Sequence, residues 1–551
     1  MPLSLGWAVL PPLLFLACLF VWPVLRLLIL SFGEHGFTLA NYARLLRVPI
    51  YRVALIETLE IAALVTLLSI VLSYPLAYLM AASRPRTRKV LMMLVLLPFW
   101  MSALVRTTAW LILLQRNGVL NTLLVDSRLV SHPLALVYNL PGVLVGMTHV
   151  LMPFIVLPLA AAFRGIDPAL VRAAEGLGAG SFAVLRRLLL PLTAPAVLAG
   201  AAIVFMSAVG YYITPALMGG PAQTMIAQLI DFNIETELNW GLAAALSVML
   251  MLATLAIFVG FSAAFGLDQL MVRAPGAGSG MSFSEADHRN SPRRLVAALL
   301  SVPVLIFLIA PVLTVFPMSL GASPLLVFPP THLTFAWYRE FFERPQWTAA
   351  LRNSLVVAAV AVPIATFLGT SGALGLQTLR RQWARWIEMI VVLPMIMPPM
   401  ILAVGLYYLF APLGLVGGPW GLALGHVVLA IPFVVLTVRA ALLGFDSVLA
   451  QAATGLGASW ITMFRRVMLP SISSGIVAGM VFAFITSFDD VVLALFLTNL
   501  RSRTLPKLMF EGVAQQIDPV ITAAAALITL LTVAVLAASL AWPHRDARQM
   551  T

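Results

Sequence analysis

Two adjacent carboxylates, Asp489 and Asp490, stand inside the apolar stretch FDDVVLALFL at 488–497. A charged side chain within hydrocarbon is costly, so its presence points to a passage for a charged solute or to a partner of opposite sign. The acids lie about 18 residues into an apolar run that begins near 472, roughly 27 Å along a helix, toward its outer end. Acids held there favour a cation. Aromatic faces extend the same chemistry by cation–π attraction, and Tyr211, Tyr212, Trp100 and Trp110 are the candidates. A structural alternative stands beside this: Arg106, at a similar depth, neutralises one Asp, and the aromatic rings anchor span ends at the membrane interface.

Little else in the chain could do chemistry. The seven histidines are scattered, and His149 and His426, on apolar segments, read as hydrogen-bonded core residues and not as metal ligands. HExxH and GxSxG are absent. The lysines are Lys89 and Lys507, and neither follows a glycine as the phosphate-cradling GxxxxGK[ST] loop requires. The chain is therefore neither an enzyme nor an ATPase in its own right, and it needs no cofactor of its own. Cys18 is the single cysteine, which excludes an internal disulfide or a thiolate metal cluster.

The elements that must position these residues are membrane helices. Hydrophobic residues make up 61% of the chain and charged ones 10%, against roughly a quarter charged in soluble domains. Runs of the ~20 residues that cross a bilayer occur near 6–31, 56–81, 90–114, 140–163, 192–217 and 241–266. Six more occur near 294–319, 353–378, 387–412, 419–443, 472–497 and 519–542. The first is too long and too poor in preceding charge for a cleaved signal peptide. Lys and Arg collect on the cytoplasmic side, and placing both termini there puts Arg84, Arg86, Arg88, Lys89, Arg380, Arg381, Arg385, Arg545 and Arg548 inside. That topology accounts for most of the net charge of +12 and removes the reason to invoke nucleic acid.

The chain says much of this twice. DPALVRAAEGLGAGSFAVLRRLLLP at 167–191 aligns without a gap on DSVLAQAATGLGASWITMFRRVMLP at 446–470. FTLANYARLL at 37–46 resembles LTFAWYREFF at 333–342, and an insertion follows the third span of the first half. The expected organisation is an N-terminal six-helix half at 1–266, a flexible cytoplasmic linker rich in Gly, Ser and Pro at 267–293, and a C-terminal six-helix half at 294–551. Each repeated loop should open on a capping Asp167 or Asp446. A short helix bearing Ala173-Ala174 or Ala452-Ala453 should follow, then turn at Gly176 and Gly178 or Gly455 and Gly457, before a second short helix leads to Leu-Pro.

This loop resembles the EAA loop of membrane subunits of binding-protein-dependent ABC importers: Ala-Ala, then Gly178 or Gly457 at the seventh position, then Leu190-Pro191 or Leu469-Pro470. The opening Glu of that motif is replaced by Arg172 and Gln451. The resemblance covers nearly the whole chain. It implies an all-α polytopic membrane protein of about twelve transmembrane helices in two homologous halves, of the type I ABC importer kind, in the bacterial inner membrane. It also implies that each loop fits a cleft in one of two cytoplasmic ATPase subunits, which bind the ATP and Mg, and that an extracytoplasmic binding protein delivers the solute. LLPFWMSALVRTTAWLILL at 96–114, GYYITPALMGG at 210–220, FDDVVLALFL and RTLPKLMFEGV at 503–513 look like segments of the spermidine/putrescine permease group. Polyamine or a similar organic cation is therefore the expected cargo; ferric ion, thiamine or an oxyanion are alternatives within the family. A secondary transporter driven by an ion gradient is the rival from another class.

Overall fold

The computed structural model describes residues 5–33, 36–265, 292–323, 328–330, 332–515 and 518–541, and these are helical almost throughout. Hydrocarbon offers no partner to a bare peptide group, so apolar chain within a membrane must satisfy its own backbone. Among the described residues nine helices are long and apolar enough to span. These are the first (Gly6–Leu30), second (Pro49–Ala81), fifth (Ser181–Val209), sixth (Trp240–Phe261), seventh (Arg293–Ser319), eighth (Pro345–Thr378), tenth (Pro419–Leu443), eleventh (Trp460–Asp489) and twelfth (Val520–Ser539) spans. Three bent pairs bring the number to the expected twelve. The linker expected at 267–293 falls outside the described residues, except for the start of the seventh span.

The runs read at 90–114, 140–163 and 387–412 fall on the bent pairs. The third span, Pro85–Trp100 with Ala103–Asp126, turns through 98°, and the ninth, Arg381–Ile396 with Pro399–Phe410, through 94°. Proline is the physical reason: it gives no N–H to the helix ladder, and Pro98 and Pro394, followed by Pro398, stand just before the two corners. Ser102 restarts the helix by accepting the Leu104 N–H at 3.2 Å. The fourth span bends by 47° between Leu140–Leu151 and Pro153–Arg164.

By contact the chain forms two compact units that do not follow its order. One comprises 1–30, 339–512 and 527–551; the other comprises 31–338 and 513–526. Each is organised around the same trio of helices: the second, fourth and fifth spans in one, the eighth, tenth and eleventh in the other. The trio packs closely because of a repeated small residue. A Cβ at Gly200 would lie 3.0 Å from Ile155 Cα, and one at Gly479 would lie 3.1 Å from Val434 Cα, so a side chain at either position would push the fifth or eleventh span off its neighbour.

The opening helix of each half packs in the unit built from the other half's spans. The first span lies on the eighth, with Val9 and Pro12 against Gly375 and Gly372. The seventh span lies on the second and on the buried helix Ala103–Leu114, where Phe307 meets Trp110 with ring centroids 5.1 Å apart. The repeated segment FTLANYARLL/LTFAWYREFF forms the short helices Ala40–Arg47 and Ala336–Glu343. Each is tied back in the same way, Tyr42 hydroxyl to Ser31 Oγ at 2.6 Å and Tyr338 hydroxyl to Ser319 Oγ at 2.7 Å.

Candidate functional site

In both loops the anticipated cap is present: Asp167 accepts the Ala169 N–H at 2.8 Å, and Asp446 accepts the Val448 N–H at 2.9 Å. The helices Pro168–Gly176 and Ser447–Gly455 follow. They end alike. Gly178 has φ +81° and Gly457 φ +82°, a left-handed conformation that costs a side-chain-bearing residue and that glycine adopts freely. Around the first, Gly178 N–H donates to Glu175 O at 2.9 Å and Ala179 N–H to Ala174 O at 3.0 Å; around the second, Gly457 N–H donates to Thr454 O and Ala458 N–H to Ala453 O, both at 3.0 Å. This paired closure is the Schellman motif. It assigns parts to the repeated letters: Ala174 and Ala453 lie one turn back from the cap, Gly178 and Gly457 make the turn, and Ala173, Ala452, Gly176 and Gly455 are exposed beside it.

What the turn presents is apolar. Leu177 and Leu456 are each 89% exposed, and matched pairs accompany them: Leu170 with Leu449, and Phe182 with Ile461. Exposed large apolar side chains at matched positions on two turns of the same geometry have the character of a protein contact.

The second short helix expected in each loop is not a separate element. It runs straight on into the fifth or eleventh span. The join is a widened turn in which Leu190 N–H reaches back to Leu185 O and Leu469 N–H to Phe464 O. Pro191 and Pro470, next in line, have no N–H to give, and the extra residue in the turn absorbs the missing bond without breaking the helix.

At the far end of the same two spans the chain leaves the helix and forms short pieces: Ile213–Met218 and Ile226–Glu235 in one unit, Val492–Leu497 and Leu505–Gln515 in the other. One hydroxyl fixes each second piece. Ile226 N–H donates to Thr58 Oγ1 at 3.0 Å, and Leu505 N–H donates to Ser354 Oγ at 2.8 Å.

The solute-path candidates are distributed around these pieces. Asp489 ends the eleventh span and is half-buried. Asp490 is engaged: its Oδ2 accepts the Ala494 N–H at 3.1 Å and lies 3.3 Å from His426 Nε2, while His426 Nδ1 is 2.9 Å from Ser487 Oγ. A carboxylate at the start of Val492–Leu497 and a cation at its end both suit the helix dipole. The cation is Lys507, a buried ammonium that donates to Leu495 O at 2.9 Å and Thr498 O at 3.0 Å.

In the other unit Tyr211 is half-buried, and Tyr212 is buried with its hydroxyl donating to Asp231 Oδ2 at 2.9 Å. Burial pushes Asp231 up to about 6 against the opposing hydrogen bond from Tyr212, with Glu235 adding to the rise. Trp110 is buried between His149, at 5.8 Å, and Phe307. Trp100 lies half-buried at the corner of the third span.

Sequence reasoning did not single out Asp231, Thr58, Ser354 or the clamp on Asp490. Asp231 and Glu235, four apart, are visible as an acidic helical pair, but their meeting with Tyr212 is tertiary. Of the two histidines, His426 is engaged through both ring nitrogens, whereas His149 is engaged through Nε2 alone, 3.1 Å from Leu308 O, with Nδ1 buried and without a hydrogen bond among the described residues. No cluster of metal-ligating side chains occurs among the described residues.

Comparison with known proteins places these features in context. Residues 73–268 and 361–548 each match the family described as binding-protein-dependent transport system inner membrane component. The chain is 32% identical over 234 residues to the spermidine/putrescine transport system permease protein PotB of Haemophilus influenzae, covering 42% of this chain and 82% of that one. It is 32% identical over 203 residues to PotC of the same organism, covering 37% and 79%. A probable ABC transporter permease protein, y4fN, of Sinorhizobium fredii is 29% identical over 390 residues, 69% of this chain and 67% of that one.

Proposed function

From the premise that the chain belongs to the binding-protein-dependent inner membrane permease family, whose domain it carries twice, we propose that it forms the solute path of an importer for spermidine, putrescine or a similar organic cation. That it is a fused ABC importer permease follows from the family; the cargo is the inference. The observation that carries it is the set of relatives named as spermidine/putrescine permeases, aligned over roughly four fifths of their own length. In its own unit Asp489 offers the negative charge a polyamine needs; in theirs Tyr211 and Tyr212 offer π surface.

In this reading the two loops lie in the cytoplasm, with both termini, and each receives one ATPase subunit on the face formed by Leu177 or Leu456. The ATPases hold the ATP and Mg, and the permease catalyses nothing. An extracytoplasmic binding protein delivers the solute at the far end. ATP-driven closure moves both loops together and shifts the permease between two packings, each favoured by a different ligand state.

The test is ATP hydrolysis by the chain reconstituted in lipid with its ATPase and binding protein, screened with spermidine, putrescine, thiamine, ferric ion and sulfate. Stimulation by a polyamine supports the proposal. Stimulation by another solute keeps the importer and replaces the cargo. Uptake driven by an ion gradient with no associated ATPase would overturn the mechanism.

A further inference from the structure

The ion pair between Glu175 and Arg293 lies outside the solute-path candidates, and although the Glu175 carbonyl takes part in the repeated turn, its carboxylate does not. Glu175 directly follows Ala173-Ala174 in the first loop, and Arg293 stands at the start of the seventh span. Only 12% of the Arg293 side chain is exposed, against 42% for Glu175. The Nε and Nη1 atoms of Arg293 are buried without a hydrogen bond among the described residues, so Glu175 offsets the cost of holding a guanidinium away from water. The seventh span, which Arg293 opens, packs on the second, where the ring of Tyr78 meets Phe163 of the fourth edge-on at 5.5 Å. The pair thus lies where the first loop and the loop-side ends of the second, fourth and seventh spans converge.

The second loop is built otherwise. Thr454 follows Ala452-Ala453, and its hydroxyl donates to Ala450 O at 3.0 Å and Gln451 O at 2.9 Å within its own helix. In that unit the pair Arg439 with Glu388 ties the tenth span to the ninth and leaves the loop out.

We propose that Glu175 and Arg293 are positioning residues for energy coupling. They tie the first loop to the seventh span, so that a displacement imposed on this loop reaches the opening helix of the following half directly, through an ion pair that the loop at 446–470 does not make among the described residues. The two loops then share a docking shape but transmit unequally. The proposal rests on reading both loops as ATPase docking sites.

The experiment uses the complete importer in proteoliposomes, with ATPase and binding protein present. The variants are Glu175→Gln, Arg293→Gln and the exchange Glu175→Arg with Arg293→Glu. Two quantities are read: ATP hydrolysed per solute imported, and ATPase retained on purifying the permease. Each single variant should raise the ATP consumed per solute by about fivefold or more with the ATPase retained, and the exchange should recover most of that loss. Should Arg293→Gln fail to accumulate, Glu175→Gln, at the more exposed member, decides the matter alone. An unchanged ratio in the single variants, with ATPase retained, overturns the proposal and spares the docking reading. Failure of the unaltered permease to retain its ATPase overturns both.

Discussion

His426 Nε2 lies 3.3 Å from Asp490 Oδ2, with the imidazole wholly buried in the tenth span. The same carboxylate oxygen takes the Ala494 N–H at 3.1 Å, so Asp490 closes the start of a short helix and holds a ring from another span in place. Asp489, its neighbour in sequence, ends the eleventh span and is half-buried.

Replacement should separate them. Asp490→Ala removes a helix cap and is expected to cost about 1 kcal/mol or more, read as a lower melting temperature in detergent together with reduced membrane yield. Asp489→Asn should lose less melting temperature and instead raise the half-saturating solute concentration in vesicle uptake. The reverse pattern would move the solute contact from Asp489 to Asp490.

At the loops, Gly178→Val and Gly457→Val force a branched side chain into left-handed backbone. The local cost is about 1–2 kcal/mol, confined to a turn where an added Cβ would meet nothing within 4 Å. The spans should therefore still assemble, with unaltered melting, while ATPase retention and solute-stimulated hydrolysis fall. Asn, which tolerates this conformation better than Val, should be milder at either position. Equal damage from Asn and Val would show that the space beside the turn matters more than its backbone.

Asp231 gives a pH signature. Its folded pKa, raised to about 6 from an ordinary 3.8, means that the fold favours the protonated acid. The associated stability is complete below the unfolded value and is lost as pH rises through the folded one. Between about pH 4 and pH 7 the unaltered protein should lose melting temperature, and Asp231→Asn should flatten that slope. A slope that persists in the variant assigns it to other groups.

Lys507→Met keeps the length of the side chain and removes both hydrogen bonds to Leu495 O and Thr498 O. Buried carbonyls left without donors cost about 1–3 kcal/mol, so the melting temperature should drop clearly. Lys507→Arg, a donor of different shape, should recover part of it. A neutral outcome for Met would mean that water takes over the carbonyls.

The sequence made the spans, the duplication and the turn at Gly178 and Gly457 readable because each is encoded locally, in runs of apolar residues or in a glycine at a fixed distance from a capping Asp. Pro98 and Pro394 were visible too, yet a proline announces an interruption without its angle, and the corners of 98° and 94° come from packing. The clamp on Asp490 depends on His426, which lies in another span, and the acid at Asp231 shows its burial only once Tyr212 is folded over it. Nothing near Val9 or Pro12 says that their partners are Gly375 and Gly372. Contacts of that range leave no periodic trace.

The exchange of opening helices also bears on how the molecule is made. The first span leaves the ribosome early, yet the glycines it rests on belong to the eighth span, so that seat does not exist until most of the chain has been translated. The seventh span has no such wait, because its seat on the second span is already in place when it emerges. Keeping both halves on one polypeptide guarantees that the waiting helix meets its own partner, and separate synthesis of the two pieces would make that meeting a matter of diffusion in the bilayer.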